Sequence, residues 1–474
     1  MTTPDHKMTF REKLCYGFGD YASVLYWQTF MIYLTFYYTD VFGLTAAAAA
    51  TMLGLSRSLD AFFDPVMGMV ADRTQTKWGK FRPYILWFCV PFTVVGVLTF
   101  TVPTLGAHGK LIWAWVTYNA LMLLYTAINI PYTAMLGVVT PNPDDRTTLS
   151  SIKFLCAFAA GITISATLLP LAKVLGSGNE ARGWQFAFVA VGALALTFFL
   201  LTFFNTKERV SPPAGQQTSV GQDLRDLFTN GPWLVLLATT ITMILFVAVR
   251  GSVTVHYFKY FVGTQTLTLP SWLPKIGGTQ EWHMESLVSA FNTTGQLAAL
   301  SGVVLLPFIS GRLGRKLTFV LLFLVAILCT ASFYFLRADQ LLLIFGINIL
   351  GSITGGPLSA LLWAMYADTA DYSEWKNGRR ATGLVFSASI FSQKQGWAIG
   401  AAVALMLMAS VGFKANVVQS ESSLHGLRML MGVYPCVLGL ASLIIVLFYP
   451  LNEARVAQIA EELKLRREKP TSAA

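Results

Sequence analysis

The chain has 474 residues, of which 54% are hydrophobic, 13% aromatic and only 12% charged. Soluble domains carry about 25% charged residues, so this composition excludes a water-soluble protein with an ordinary surface. The net charge of +10 does not indicate nucleic-acid binding, because no Arg-rich helix or basic stripe with interleaved aromatic residues accompanies it. Basic residues collect in loops instead, as they do on the cytoplasmic side of membrane proteins.

Long apolar runs predict twelve helices of about 20 residues or more, the length that crosses a bilayer. We call them spans 1 to 12. In chain order they cover about residues 14–41, 45–71, 83–105, 109–139, 149–174, 183–206, 232–262, 286–310, 317–337, 340–368, 382–411 and 425–451. The expected fold class is therefore an all-α membrane protein with twelve transmembrane helices.

An even number of spans places both termini on one side of the membrane. The loops on that side hold most of the Lys and Arg residues, so the positive-inside rule predicts cytoplasmic termini. We expect a multi-pass protein of the bacterial cytoplasmic (inner) membrane.

A polar link at residues 207–231 divides the chain into a first half, 1–206, and a second half, 232–474, which ends in a cytoplasmic tail. The basic turn at 72–80, after span 2, is echoed by Gly311-Arg312-Leu313-Gly314-Arg315-Lys316 after span 8. Two six-helix halves with matching turns indicate a major facilitator transporter with its site at mid-membrane. An ordinary basic loop is the alternative interpretation of the second turn. The link at about 265–285 is expected outside, on the membrane surface.

Span 2 carries two carboxylates, Asp60 and Asp64, four residues apart and so on one helix face. Ionised side chains inside a membrane cost several kcal/mol, so each is a functional candidate. Two acids at this spacing repel each other when both are ionised, and a shared small cation or a proton on one of them relieves the repulsion. The pair is therefore predicted to be a cation site. A structural salt bridge with Arg57 or Lys394 is the alternative.

Polar stripes on other spans are candidates for binding the substrate. Asp20, Ser23 and Trp27 follow one face of span 1, and a carboxylate beside an aromatic ring is typical of sugar recognition. On span 4, polar side chains recur at helical spacing and could bind either the cation or sugar hydroxyls, or hold helices together. The other candidates are ionisable or aromatic residues in spans 5, 7 and 10. Beyond span 1, the set comprises Tyr125, Thr126, Asn129, Thr133, Lys153, Arg250 and Trp363.

No nucleophile–base pair, phosphate-binding loop or metal-spaced cluster is visible in the sequence, so we do not expect an enzyme or a cofactor. The five cysteines lie far apart without a C-x-x-C pair, which favours buried small hydrophobic roles over disulfides or a metal site. His256 in span 7 is interpreted as structural.

Several motifs resemble the glycoside–pentoside–hexuronide:cation symporters, the family of the melibiose permease. They are Tyr16-Gly17-Phe18-Gly19-Asp20, Tyr37-Tyr38-Thr39-Asp40, Asp64-Pro65 through Gly79-Lys80-Phe81-Arg82-Pro83-Tyr84, Asn129-Ile130-Pro131-Tyr132, and Ala367-Asp368 through Glu374-Trp375. These motifs span both halves, and the pentoside and xyloside branch is the most similar.

The resemblance implies that Asp60, Asp64 and Thr126 match the family's cation-site positions and that Lys394 matches the lysine beside that site. Phe63 stands where the melibiose permease has an Asn between its two acids, which removes an oxygen ligand and favours a proton over sodium. The family's sugar-binding Asp of span 4 is Asn129 here, and its Arg of span 5 is Lys153. Its Asp of span 1 falls on Val24, but Asp20 lies one turn away. These departures predict a retained but retuned sugar site.

The resulting hypothesis is a symporter that imports a pentoside or hexoside by alternating access with a proton as coupling ion, sodium at Asp60 and Asp64 being the alternative. A lysolipid carrier of the same fold and a sugar-sensing receptor are the competing functions. We expect a monomer in the lipid bilayer with a sugar as its partner. A cytoplasmic gate is predicted to pair basic with acidic side chains, comprising Asp72, Arg73, Lys77, Lys80, Asp371, Glu374, Arg379 and Arg380. The alternative interpretation is that these charged loops only set the orientation of the protein in the membrane.

Overall fold

The computed structural model describes residues 8–140, 143–209, 227–269, 278–377 and 382–468. Within these ranges the chain is helical except for one short hairpin and the connecting turns. The first half forms spans 1 to 6. Their bounds are Phe10–Ile32 continued by Leu34–Phe36 and Tyr37–Val41, then Ala46–Arg73, Arg82–Thr99, Ala107–Val139, Pro143–Gly176 and Glu180–Asn205.

The second half forms spans 7 to 12. Their bounds are Gly231–His256 continued by Tyr257–Val262, then Met284–Leu313, Arg315–Ser332, Leu341–Gly355 continued by Pro357–Asn377, Thr382–Ser410 and Glu421–Leu447. Span 10 is interrupted between Gly355 and Pro357, where the sequence predicts a kink, because proline cannot donate a helix hydrogen bond.

Nine of these spans are long and apolar enough to cross a membrane within the described residues. The other three are spans 1, 2 and 11, which carry the charged candidates Asp20, Asp60, Asp64 and Lys394. The predicted all-α membrane fold is confirmed.

Local sequence explains where several spans begin. Thr9 and Thr45 accept hydrogen bonds from the backbone N–H groups of Glu12 and Ala48, each at 3.3 Å. Asn179 does the same for span 6. These side chains satisfy N–H groups that have no partner inside the first helical turn.

Two elements go beyond the sequence expectation. The link after span 7 forms an antiparallel hairpin of β1, Gln265–Leu269, and β2, Gly278–Trp282, with Gln265 opposite Trp282. After span 12, residues Glu453–Glu468 form a helix that we call the tail helix.

The chain divides into two compact units that differ from the two sequence halves. Unit 1 comprises Met1–Ala214, Thr254–Thr293 and Leu405–Ser423, and unit 2 comprises Gly215–Val253, Thr294–Ala404 and Leu424–Ala474. Unit 1 therefore contains the first half together with the C-terminal ends of spans 7 and 11 and the N-terminal ends of spans 8 and 12. The predicted boundary at 207–231 stays a prediction.

In unit 1, span 1 packs against spans 5 and 6, span 3 against spans 4 and 6, and span 2 against span 4. The contact of spans 1 and 4 is close at Gly19, where a Cβ would lie within van der Waals overlap of the Tyr132 ring. The Tyr16 and Tyr132 rings stack there at 5.1 Å. This packing brings the polar face of span 1 next to spans 4 and 5.

In unit 2, span 9 packs against span 10, and the tail helix packs against the second segment of span 10. Arg315 holds Asp368 through two contacts of 2.6 Å, and Glu462 accepts a hydrogen bond of 2.5 Å from the indole of Trp375. Ile459 and Leu463 are buried on the inner face of the tail helix. The tail helix is thus fixed to the end of span 10.

Candidate transport site

The two acids of span 2 meet a hydroxyl of span 4. Thr126 Oγ1 lies 2.9 Å from Asp60 Oδ1 and 3.2 Å from Asp64 Oδ1. Asp60 is 5% exposed and Thr126 2%. The structure therefore brings together the three residues predicted from spans 2 and 4, and one hydroxyl bridges both carboxylates.

The same face of span 2 continues for one more turn through Ser56, which is buried. Asn119 of span 4 donates a hydrogen bond of 3.0 Å to Ser56 Oγ and one of 2.7 Å to the carbonyl of Trp115. Ser56, Asp60 and Asp64 thus form a row of polar groups facing span 4. Sequence reasoning missed Ser56 and Asn119, although a polar residue four positions before Asp60 was the available signal.

Lys394, the fourth residue of the predicted cation site, lies on span 11 in unit 2, so its predicted position near Asp60 and Asp64 stays a prediction. The side chain of Arg57, the alternative ion-pair partner, lies outside the part of the chain that the structure describes. Phe63 is 43% exposed.

A second charged pair joins spans 1 and 5. Lys153 Nζ lies 3.7 Å from Asp20 Oδ1, and the two side chains are 20% and 15% exposed. The ammonium group also lies 5.3 Å from the centre of the Tyr132 ring, and Tyr132 donates a hydrogen bond of 2.8 Å to the carbonyl of Tyr16. Asp20 and Lys153, both predicted for sugar binding, are therefore neighbours.

An aromatic pair lies on the same two spans. Trp27 and Tyr125 stack with ring centres 5.7 Å apart and an interplanar angle of 22°. Asn129 donates a hydrogen bond of 3.2 Å to the carbonyl of Tyr125, and Ser23 donates one of 2.9 Å to the carbonyl of Gly19. Trp27 and Tyr125 thus form one aromatic platform, whereas Ser23 and Asn129 bond to their own helices. Thr133 is exposed.

Two predicted sugar-site residues belong to unit 2. Arg250 of span 7 donates a hydrogen bond of 3.2 Å to Asn348 and lies 4.7 Å from the centre of the Phe333 ring. Trp363 of span 10 lies 6.1 Å from the Tyr366 ring. Their predicted role with the residues of unit 1 stays a prediction.

The predicted gate residues of the first half lie in the turn after span 2. Arg73 and Lys77 are exposed, and the ammonium groups of Lys77 and Lys80 lie 4.8 and 5.2 Å from the centres of the neighbouring Trp78 and Phe81 rings. On span 10, Asp371 and Glu374 are half-buried. The side chain of Asp72 and residues Arg379 and Arg380 lie outside the described part of the chain.

An unpredicted carboxylate organises this turn. Glu208, just after span 6, accepts hydrogen bonds of 2.8 Å from the backbone N–H groups of Lys80, Phe81 and Arg82. These groups begin span 3, where the helix dipole favours a negative charge. Gly79 has φ +117°, and a Cβ there would lie 2.6 Å from the Glu208 carboxyl carbon. Glu208 therefore needs a glycine at position 79.

Comparison with known proteins shows which family has this arrangement. The sequence matches the model of the MFS/sugar transport protein family over residues 15–274 and 279–453. The chain belongs to this family of glycoside–pentoside–hexuronide:cation symporters. The predicted family is thereby confirmed, and the protein is a sugar symporter of the major facilitator superfamily and not an enzyme.

Relatives of this symporter match along its whole length. It is 37% identical over 458 residues to the putative glycoside/cation symporter YagG of Escherichia coli K12, covering 96% of this chain and 95% of that protein. It is 35% identical over 464 residues to the isoprimeverose transporter of Lactiplantibacillus pentosus, covering 95% and 90%. The solved structure of the nucleoside transporter NupG has a TM-score of 0.60 at 14% identity, covering 92% of this chain and 99% of that one. That structural similarity shows the fold alone.

Proposed function

We propose that this symporter imports a pentoside or another small glycoside together with a proton, and that Asp60 and Asp64 carry the proton. The observation that supports the proposal is the single hydroxyl of Thr126 between the two carboxylates. A buried charge in a membrane is costly, so the buried Asp60 and the neighbouring half-buried Asp64 favour binding a positive charge.

The geometry suits one proton on the pair. A threonine hydroxyl donates one hydrogen bond and can accept others. With a proton on Asp64, its O–H can donate to Thr126 Oγ1 while the Thr126 hydroxyl donates to the ionised Asp60. With both acids ionised, Thr126 satisfies only one of them, and the two charges repel each other. In the singly protonated pair, Thr126 can therefore form a hydrogen bond with each acid.

The side chain between the two acids makes sodium the less favoured ion. Hard cations bind several oxygen ligands at once, and Phe63 supplies none from between the two acids. The cluster of Asp60, Asp64 and Thr126 therefore favours a proton, and sodium is the alternative that the experiment below distinguishes.

The sugar is proposed to bind beside the Asp20–Lys153 pair and the Trp27–Tyr125 platform. Carboxylates accept hydrogen bonds from sugar hydroxyls, and an aromatic face covers the apolar side of a pyranose. Two relatives, a putative glycoside/cation symporter and an isoprimeverose transporter, favour a glycoside of the pentoside branch. Four further residues would set which sugar the site accepts. They are Asn129 and Thr133 of span 4 and Arg250 and Trp363 of the second half.

Coupling would follow from alternating access with both termini in the cytoplasm. A proton on the acid pair removes its repulsion and favours sugar binding, and sugar must tighten proton binding by the same factor. Only the fully loaded or fully empty carrier would then reorient. The basic turn after span 2 and the acids of span 10 would form the cytoplasmic gate.

Uptake into membrane vesicles tests this function. Labelled pentosides, hexosides and a lysophospholipid would be offered under an imposed proton gradient, and separately under a sodium gradient at constant pH. We expect a pentoside-type glycoside to accumulate with the proton gradient. Asp64→Asn should abolish accumulation, whereas Asp339→Asn, at an exposed position, should retain it.

Each alternative has its own result. Stimulation by sodium at constant pH would show that the proton assignment is wrong. Accumulation of the lysophospholipid without the sugars would favour a lipid carrier, and binding without accumulation would favour a receptor.

A further inference from the structure

A buried charged cluster lies at the C-terminal ends of spans 1 and 7, outside the set of residues predicted for cation and sugar binding. Its centre is Asp40, whose side chain is fully buried. Asp40 Oδ1 accepts a hydrogen bond of 2.9 Å from Lys259 Nζ and a short one from the hydroxyl of Tyr260. Asp40 Oδ2 lies 2.7 Å from Thr39 Oγ1 and 3.3 Å from His256 Nε2. Thr39 Oγ1 also lies 2.9 Å from His256 Nε2, so polar groups surround both oxygens of the carboxylate.

A third chain segment closes over this pair. Asn416, in the turn between spans 11 and 12, accepts a hydrogen bond of 2.7 Å from Lys259 Nζ and donates one of 2.6 Å to the carbonyl of Asp40. Its backbone N–H donates to the Tyr260 hydroxyl at 2.8 Å. Asn416 has φ +58°, a left-handed conformation that asparagine tolerates better than most residues. The turn is thus shaped to place one side chain between Asp40 and Lys259.

The two spans end in the same unusual way. Each changes from an α-helix to a wider π turn, at Tyr37–Val41 in span 1 and Tyr257–Val262 in span 7. In each π turn a backbone N–H donates to the carbonyl five residues earlier. Phe42 donates to Tyr37 and Gly263 donates to Phe258, each at 2.8 Å. Single π turns occur often at functional sites. Spans 1 and 7 open the two halves, so the matched turns place the cluster at equivalent positions.

Nearly all the partners of Asp40 come from the other half of the sequence. Lys259, Tyr260, His256 and Asn416 belong to the second half, and only Thr39 is its own neighbour. A carboxylate buried without its cation is strongly destabilised, so these ends cannot separate by a small step. We expect them to separate in a step that exposes Asp40 to water.

We propose that Asp40, His256, Lys259, Tyr260 and Asn416 form an outer latch that holds the pathway closed at the end opposite the termini. The latch breaks each time that end opens to take up sugar. It rests on the alternating access and orientation proposed above, and it does not depend on which sugar or cation is carried.

An exposed ion pair at the same end offers a matched comparison. Lys173 of span 5 and Glu285 of span 8 also join the two halves, at 3.0 Å, but their side chains are 49% and 25% exposed. Exposed pairs contribute little, because water already solvates both charges. Removing Lys173 should therefore leave the closed end almost unchanged.

Labelling from outside the cell tests the latch without sugar or any ion gradient. Asn292 lies about two helical turns into span 8 and bonds to the Tyr33 hydroxyl at 3.4 Å. The five native cysteines are all buried. A cysteine introduced by Asn292→Cys is therefore the residue whose reaction with a membrane-impermeant maleimide is measured. Asp40→Asn and Lys259→Met should each raise its labelling rate roughly tenfold or more, since each leaves a buried partner unpaired. Lys173→Met should change it less than about twofold.

The double variant Asp40→Asn/Lys259→Met separates a latch from simple loss of folding. Removing both charges leaves no unpaired buried charge, so its labelling rate should fall below that of either single variant. Rates are normalised to the folded fraction measured by size-exclusion chromatography. Two results would overturn the proposal. In the first, Asp40→Asn and Lys259→Met leave the labelling rate of the Asn292→Cys protein unchanged. In the second, the double variant raises that rate by the product of the two single effects. Sugar transport can fail in the uptake assay while this result stands, so the two proposals are tested separately.

Discussion

Replacing Thr126 with valine removes the bridging hydroxyl while nearly preserving side-chain volume. With both acids ionised, Thr126 donates one hydrogen bond; with one proton on the pair it takes part in two, donating to Asp60 and accepting from Asp64. Thr126→Val therefore costs the protonated pair one hydrogen bond more than the ionised pair. One such bond contributes about 0.5–1.5 kcal/mol, which weakens proton binding.

The size of the effect can be measured as a shift in pH. At 1.36 kcal/mol per pH unit, half-maximal proton-driven uptake should move to a pH lower by roughly 0.4 to 1 unit. Thr126→Ser keeps the hydroxyl and should move it little. The assay is initial uptake of the transported glycoside by vesicles over a range of external pH. An unchanged midpoint in Thr126→Val, or a shift to higher pH, would refute the bridging role.

Three further changes test other parts of the molecule. Asp64→Asn should abolish accumulation but retain exchange of labelled for unlabelled sugar, because a neutral side chain mimics the protonated acid; loss of exchange as well would contradict this. Glu208→Ala should lower the free energy of unfolding by about 1–2 kcal/mol, the value of a helix cap, and Glu208→Gln should lower it by less. Thermal unfolding in detergent measures both. Equal unfolding midpoints for the unmodified protein and the two variants would count against the cap. Lys153→Met should lower the free energy of unfolding more than Asp20→Asn/Lys153→Met does, because the single change leaves Asp20 without its cation. Thermal unfolding in detergent measures both, and equal midpoints would argue against a working pair.

Periodicity and charge predicted the features that depend on nearby residues in the chain. The span positions follow from local apolar runs, and the face shared by Asp60 and Asp64 follows from helical spacing. Their meeting with Thr126 required an expectation about which spans are neighbours, and the resemblance to a known family supplied it.

Contacts between distant segments were not predictable in this way. Glu208 caps span 3 from more than a hundred residues along the chain, and nothing in its own surroundings indicates that role. Asp40 belongs to a motif that the sequence shows, but its partners come from span 7 and from the turn at Asn416. His256 was interpreted as structural because it is a lone histidine in span 7, yet folding places it beside Asp40.

Span 1 offers a physical route between the proposed sugar site and the outer latch. Asp20 and Asp40 are twenty residues apart on this span, about 30 Å at 1.5 Å per residue, and only Phe42–Thr45 separates its end from span 2 with Asp60. A shift of span 1 as the sugar binds beside Asp20 would be passed along its successive segments to Asp40. We expect the proposed latch to open in one step, because partial loss of its partners would leave a buried carboxylate without its cation. A small displacement at the proposed sugar site would then leave the outer end either fully open or fully closed. A carrier needs such a two-state end, because a partly open one would let the cation leak.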